Sequence, residues 1–403
     1  MKKLLFAPAD PQAFKTLQKA LPTREEWQGE IVALAEASAA VLAKTDWDAV
    51  VTDVEAESGR ALLAQARHDF PEIARIGVVS QAKRTVAHLA VAQQIVPSFT
   101  DFGELDMAIE RCCRLRDLLR GERICRTIGE LGELPSAPGV YLELMQKLNG
   151  GDASVAEVAE IIEGDVGTSA KLLQVVNSAV FRTSREIATV KMAAGFLGLD
   201  VVKNVVLSVE AFQAFENLPA IPEFSFSSLQ SHCRMTAAIV GRMGLSNEVR
   251  DGAVVAALLH DIGKLVLAYK VPDRFGRLLA RAQLEGQPLY RVEEELWGIT
   301  HAEVGAYLLG LWGLPTQVTE AIAYHHTPAA VPPGPMDGIG AVYVANGLAH
   351  EIEDRNEKTN WNKKYLQAWG GLDRLTEWRQ MAHQNVALQH SSSSRPEIEA
   401  NAR

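Results

Sequence analysis

Over about the first hundred residues, short apolar runs alternate with stretches in which apolar positions recur every three or four residues. The runs Lys3–Ala7, Ile31–Leu34, Ala49–Thr52, Ile76–Ser80 and Gln94–Pro97 predict strands, and the stretches 11–21, 37–44, 58–69 and 84–92 predict amphipathic helices. Such a βαβ rhythm implies a parallel sheet covered on both faces. From Asp101 to about Arg120 the period becomes purely helical, with Leu105, Ile109, Cys112, Cys113, Leu115 and Leu118 on one stripe that suits a core or a dimer contact. Beyond Ile124 almost every segment to Glu353 keeps the 3.6 period, so the second part is expected to be all-α. Trp361, Tyr365, Leu366, Trp369, Leu372, Leu375 and Trp378 then predict a short helical extension packed by its aromatic rings. The polar run from Gln389 to Pro396, with His390 inside it, predicts a disordered tail.

The expected organisation is therefore an α/β domain at 1–120, an all-α domain at 121–353, a helical extension at 354–384 and a tail at 385–403. A chain of 403 residues is too long for one ordinary core and suits two or three domains. At 47% hydrophobic and 22% charged the composition is globular, and no apolar run approaches the roughly 20 residues needed to span a bilayer, which argues against a membrane anchor. The apolar patch after Lys2-Lys3 breaks at Pro8, too short for a secretory signal. Cys112, Cys113, Cys125 and Cys233 have no CxxC spacing, which leaves reduced thiols and a cytoplasmic setting as the expectation. A formal charge of −10 argues against general nucleic-acid binding. The local arginines Arg111, Arg114, Arg116, Arg120, Arg123 and Arg126 are interrupted by Asp117 and Glu122, as on a solvated linker face.

Candidate chemistry lies in two places. At the carboxyl ends of the predicted strands, where open α/β sheets gather function, stand Asp53 after Val50-Val51-Thr52 and Ser80 after Gly77-Val78-Val79. In the helical part, His260-Asp261 sits inside the apolar run Leu258–Leu265, and an imidazole beside a carboxylate in an apolar setting points to a metal. His232 lies upstream, and His301 and the pair His325-His326 lie downstream. Each histidine alone has an ordinary explanation in packing or in the helix macrodipole; the group carries the signal.

Residues 1–120 resemble a response-regulator receiver domain, a flavodoxin-like fold with a five-stranded parallel sheet. Asp53 matches the phosphoacceptor and Ser80 the hydroxyl position. The acidic pair that would hold magnesium falls on Pro8 and Ala9, leaving only Asp10, and the lysine position falls on Pro97 or Ser98. With too few carboxylates for Mg²⁺, the resemblance implies a degenerate receiver that signals by contact and not by phosphorylation.

A second resemblance spans about 127–350. Leu134-Pro135 with Pro138, Glu160-Ile161-Ile162 with Asp165, Lys171-Leu172-Leu173, Asn177-Ser178-Ala179-Val180-Phe181, Lys191, Ala193 and Leu197-Gly198-Leu199 precede the His-Asp segment in the order found in the HDOD family, relatives of the HD metal-dependent phosphohydrolases. Asp165-Val166 replaces the family's common Asp-Pro, and Asn177 and Ser178 read as a polar pair that ends a helix. The resemblance implies metal ligands at His232, His260, Asp261, His301, His325 and His326, a Lys264 placed to face phosphate, and a late aspartate whose position holds Asn346. His350, one turn on, is either a compensating ligand or an exposed helix residue. No Gly-Tyr-Pro follows His325-His326, which counts against the relatives that hydrolyse cyclic dinucleotides.

The implied function is a bacterial signal-transduction regulator working through protein–protein interaction, with signalling proteins, a sensor kinase or a second copy of the chain as partners. The alternative is a phosphohydrolase or phosphodiesterase in which Asp261 bridges two ions of Fe, Mn or Zn and Lys264 assists.

Overall fold

A computed structural model describes residues 2–21, 27–70, 73–79, 91–131, 134–149, 153–178, 180–181, 186–334, 336–353 and 359–393, the last nine as backbone only. The chain divides into two compact units, one holding Met1–Cys125 and the other Arg126–Leu314 with Val318–Arg403.

The first unit is built on five parallel strands, β1 (Lys2–Ala7), β2 (Trp27–Ile31), β3 (Ala49–Asp53), β4 (Ala74–Val78) and β5 (Gln94–Val96), in the order β2-β1-β3-β4-β5. This is the flavodoxin-like order, whose switch point lies between β1 and β3. Both faces are dry. Leu4, Phe6, Val51 and Ile76 bury into one layer, and Leu5, Ala7 and Val50 into the other, as the period of two requires. The helix Phe102–Arg120 closes one layer through Leu105, Ile109, Cys112 and Cys113, so the expected stripe is core of this unit.

Two predicted strands are displaced. The second is Trp27–Ile31 and not Ile31–Leu34, because Leu34 opens a 3₁₀ turn and buries against the helix layer, while the strand itself lies at the sheet edge and carries polar Gln28 and Glu30. The fourth ends at Val78; Ser80 and most of the predicted helix 84–92 lie outside the described residues.

The second unit consists of helices joined by turns and loops, with no strand among its described residues. Helices at Gly139–Asn149, Val155–Glu163, Val166–Val176, Val190–Leu197 and Leu199–Gln213 share a core of Leu144, Val158, Ile162, Leu172, Val190 and Val205. Asp165 caps its helix by accepting from Thr168 N at 2.6 Å, so Val166 in place of proline leaves the turn intact. Asn177 ends that helix as expected, donating to the carbonyls of Leu173 and Ile187 and accepting from Ile187 N.

The site-bearing half packs Phe226–Val240 against Asn247–Leu259 and Gly338–Glu353, and Ile262–Lys270 against His301–Leu311. Contrary to the expectation that no apolar run approaches spanning length, Asn247–Lys270 is long and apolar enough to cross a bilayer, but it is a broken core element, mostly buried within the unit. Gly263 governs the second packing: a Cβ there would stand 1.9 Å from the His301 carbonyl oxygen, so only glycine lets the two helices close. The C-terminal helices Lys363–Trp369 and Leu375–Ser393 follow. Trp369 and Trp378 are buried, and Trp369 packs flat enough on Gly340 that a Cβ would meet its ring at 2.2 Å.

Candidate metal centre

Local sequence fixes each candidate ligand. His260 ends the helix Asn247–Leu259 and Asp261 opens the next, yet the Asp261 carboxylate caps no main-chain N–H and turns inward. Thr300 and Glu303 form a capping box that sets His301 in the first helical turn. His325 and His326 follow the end of Thr316–Ala323, and His232 lies mid-helix facing Asn346 on Gly338–Glu353.

All six predicted ligands come together. Asp261 stands at the middle: Oδ1 is 3.1 Å from His301 Nε2 and 3.8 Å from His325 Nε2, and Oδ2 is 3.5 Å from His260 Nε2 and 4.0 Å from His232 Nε2. His326 Nε2 lies 3.1 Å from His301 Nε2, and His260 Nε2 lies 3.2 Å from His232 Nε2. Lys264 donates to Asp261 Oδ2 at 2.7 Å. Asn346 Oδ1 is 2.9 Å from His232 Nε2. His350, half-buried, lies beside the His232 ring at 4.5 Å between centroids.

The hydrogen bonds on the far sides of the rings define their tautomers. His260 Nδ1 donates to the Ala257 carbonyl at 2.8 Å and His325 Nδ1 to the Ile322 carbonyl at 2.7 Å; a carbonyl only accepts, so both Nδ1 atoms carry protons. His301 Nδ1 meets Glu293 Oε2 at 2.6 Å and His232 Nδ1 meets Glu353 Oε2 at 2.9 Å. With Nδ1 protonated in the neutral form, four Nε2 lone pairs point inward at a carboxylate and at each other. Asp261 Oδ1 and His325 Nε2 are buried with no hydrogen-bond partner, since His301 Nε2 lies close to Oδ1 but out of alignment. Buried acceptors left facing one another need a cation.

The donor set fits a transition metal. Metal–nitrogen bonds of roughly 2.0–2.1 Å at tetrahedral angles place ligand atoms about 3.3 Å apart. The contacts of 3.1, 3.1 and 3.8 Å around Asp261 Oδ1 and of 3.2, 3.5 and 4.0 Å around Oδ2 bracket that spacing. The ligand atoms accordingly fall into two groups sharing Asp261, one with His301, His325 and His326 and one with His232 and His260, and a third, more exposed group of His350 and Glu353 shares His232.

Electrostatics prepares His260, His325 and Asp261 for such a role, while at His301 a metal must compete with a proton. Burial pushes His260 down to about 4 and His325 well below the usual histidine range, so both are neutral ligands near neutrality. Burial opposes ionisation of Asp261, but His260, Lys264 and His301 outweigh it and hold the carboxyl well below its usual range. Burial would likewise lower His301, yet Glu293 and Asp261 together raise it.

Residues 134–328 match the family model of the HDOD domain. The chain carries an HDOD domain. The curated relative matched is an uncharacterised protein of Treponema pallidum (strain Nichols), 25% identical over 221 residues; the match takes in 54% of this chain and 42% of that protein, less than half of its length. Among solved structures, an HDOD domain protein of Geobacter sulfurreducens is 24% identical with a TM-score of 0.51, covering 69% of this chain and 95% of that one. A candidate signal transduction protein from Marinobacter aquaeolei VT8 is 19% identical with a TM-score of 0.50, covering 76% and 72%. These structures share the fold.

Sequence reading missed three members of the HDOD centre. Glu293 is wholly buried and accepts from both the main-chain N and Nδ1 of His301. Glu353 orients His232 from the last turn of its helix, and Tyr290 stacks on His326 at 4.3 Å with a 12° interplanar angle. The available signal was spacing: 346, 350 and 353 fall on one helical face, and 290 and 293 on another.

The receiver-like candidates are differently placed. Asp53 ends β3, and its Oδ2 accepts from Ala9 N at 2.5 Å. Burial raises the Asp53 carboxyl, the Ala9 hydrogen bond opposes the rise, and the nearby Asp10 and Glu55 charges add to it. Asp10 spends its side chain capping the helix Pro11–Ala20, accepting from Gln12 N and Ala13 N. Among the described residues, no group of three metal-competent side chains gathers there.

Proposed function

We propose that this protein is a signal-transduction regulator that works through protein–protein interaction, with the HDOD domain as output module and the receiver-like domain as a non-phosphorylated input. In this reading the His/Asp centre holds a transition metal as a strut between helices. The observation that carries it is enclosure: His260 and His325 are 0% exposed, Asp261 and His301 1%, and His232 5%, with His326 alone of the six half-buried. A phosphorus ester needs a concave opening onto the ion, and these ligand atoms face one another and not solvent. The N-terminal domain supports the same reading, since Asp10 and Asp53 are both engaged by main-chain N–H groups. The phosphohydrolase reading is favoured by the donor set itself, which suits a hydroxide-generating centre, and by Lys264 beside it.

Protein reconstituted in turn with Fe²⁺, Mn²⁺ and Zn²⁺, offered phosphodiesters and nucleotides, is expected to show no turnover. Turnover that disappears in His260→Ala would refute the regulatory reading in favour of the hydrolase. Incubation with a small phosphodonor and Mg²⁺ is expected to leave the intact mass unchanged; an added phosphoryl group lost in Asp53→Asn would restore a working receiver.

A further inference from the structure

Asp261 divides the centre into two halves that look alike in spacing but differ in what holds the two carboxylate oxygens. On the Oδ1 side, Oδ1 and His325 Nε2 are buried and have no hydrogen-bond partner, and His301 and His326 bring their Nε2 atoms to 3.1 Å of each other. On the Oδ2 side the carboxylate oxygen is already engaged. Lys264 Nζ is seated on Oδ2 at 2.7 Å, while His232 Nε2 faces the Asn346 amide oxygen at 2.9 Å and His260 Nε2 at 3.2 Å. Asn346 also contributes no charge, the inward oxygen on this side is one whose charge an ammonium already balances, and the other nearby carboxylate, Glu353, is taken up on the far face of His232 at Nδ1. A dication entering there would meet the Lys264 charge across a single carboxylate oxygen, in a buried setting where water screens little. It would also have to displace that ammonium, leaving a buried lysine unpaired.

We propose that the centre holds one metal ion and not two, bound by Asp261 Oδ1, His301, His325 and His326, while Lys264 and the neutral Asn346 exclude a second ion from the His232–His260 side. The inference rests on the metal-binding reading above and deepens it. It assigns Lys264 the place of a fixed internal cation, and it makes His232 and His260 packing and hydrogen-bonding residues of this chain. A three-histidine, one-carboxylate set also leaves a tetrahedral ion fully coordinated by protein, the closed pattern of a structural site.

The test counts ions in the full chain. Protein stripped with chelator, reloaded with Zn²⁺ and desalted is expected to retain one zinc per chain by elemental analysis. His232→Ala should keep that ion, and His326→Ala should lose it, with far-ultraviolet circular dichroism confirming that each variant is folded. The double variant Asn346→Asp/Lys264→Met, which supplies the missing carboxylate and removes the ammonium, should retain two. Should Asn346→Asp/Lys264→Met be unfolded, Asn346→Asp alone, expected to bind a second zinc more weakly under equilibrium dialysis, serves in its place. Two zincs in the unmodified chain, or one that survives His326→Ala and is lost in His232→Ala, would overturn the assignment. So would a folded double variant that stays at one. A chain that retains no zinc at all would fail differently, removing the metal-binding reading itself along with this inference.

Discussion

At the scale of single residues, the centre depends on groups that never touch its middle. Glu293 fixes His301 by accepting two hydrogen bonds through one oxygen, while its other oxygen is buried without a partner. Such a carboxylate orients the ring and makes Nε2 a stronger donor to a metal. Glu293→Gln keeps the shape but removes the charge and allows the amide to present the wrong end. Zinc affinity, measured by competition with a chromogenic chelator, is expected to fall roughly 10–100-fold. An unchanged affinity would mean that packing alone orients His301. The contrast with the ligands explains what the sequence disclosed. His260-Asp261 and His325-His326 stand out because polar pairs in apolar helices are rare, whereas Glu293 sits in the charged run Glu293-Glu294-Glu295, where nothing local separates the one buried acid from its exposed neighbours.

At the scale of elements, convergence is enforced by how closely helices approach. The turn between Asn247–Leu259 and Ile262–Lys270 carries His260-Asp261, and Gly263 just beyond it touches the His301 carbonyl and Gly305. Gly263→Ala would place its methyl 1.9 Å from backbone, which cannot move as a flexible side chain would. The two helices must separate, at an expected cost of about 1–3 kcal/mol for overpacking, and Asp261 must withdraw from His301. Denaturant titration should show the loss of stability and the zinc count should fall with it; a variant with native stability and metal content would remove Gly263 from this role. Elements were legible where both faces are buried. β1 and β3 read as strands because their apolar runs are continuous, while the edge strand β2, with Gln28 exposed and Glu30 half-buried, reads less clearly than the more apolar Ile31–Leu34. Convergence of helices lying far apart in sequence was implied by a family resemblance and not by any local pattern, since the 3.6 period states which face is buried and not against what.

At the scale of the whole molecule, gathering so many imidazoles in one dry place makes folding depend on acidity. In the metal-free protein, His260 has a folded-state pKa of about 4 against about 6.5 when unfolded, and His325 is held well below its usual range by burial and by the charges of neighbouring rings. A depressed group stabilises the fold fully above its unfolded pKa, and that stability drains away as pH falls toward the folded value, because the unfolded chain takes up the proton first. His301 works in the opposite sense: its raised pKa contributes below about 6.5 and is lost as pH climbs through the folded value. Four depressed histidines, His260, His325, His326 and His350, against one raised, His301, set the balance, so the melting temperature of the chelated protein is expected to drop on acidification from pH 7 to pH 4.5, with most of the loss below pH 6.5. Zinc should raise the melting temperature at pH 7 and lose that effect over the same acid range, because ligand nitrogens must shed their protons to bind. The readout is a pair of calorimetric series, with and without metal, and a chelated protein whose melting temperature holds flat from pH 7 to pH 4.5 would show that the rings are not buried neutral at all.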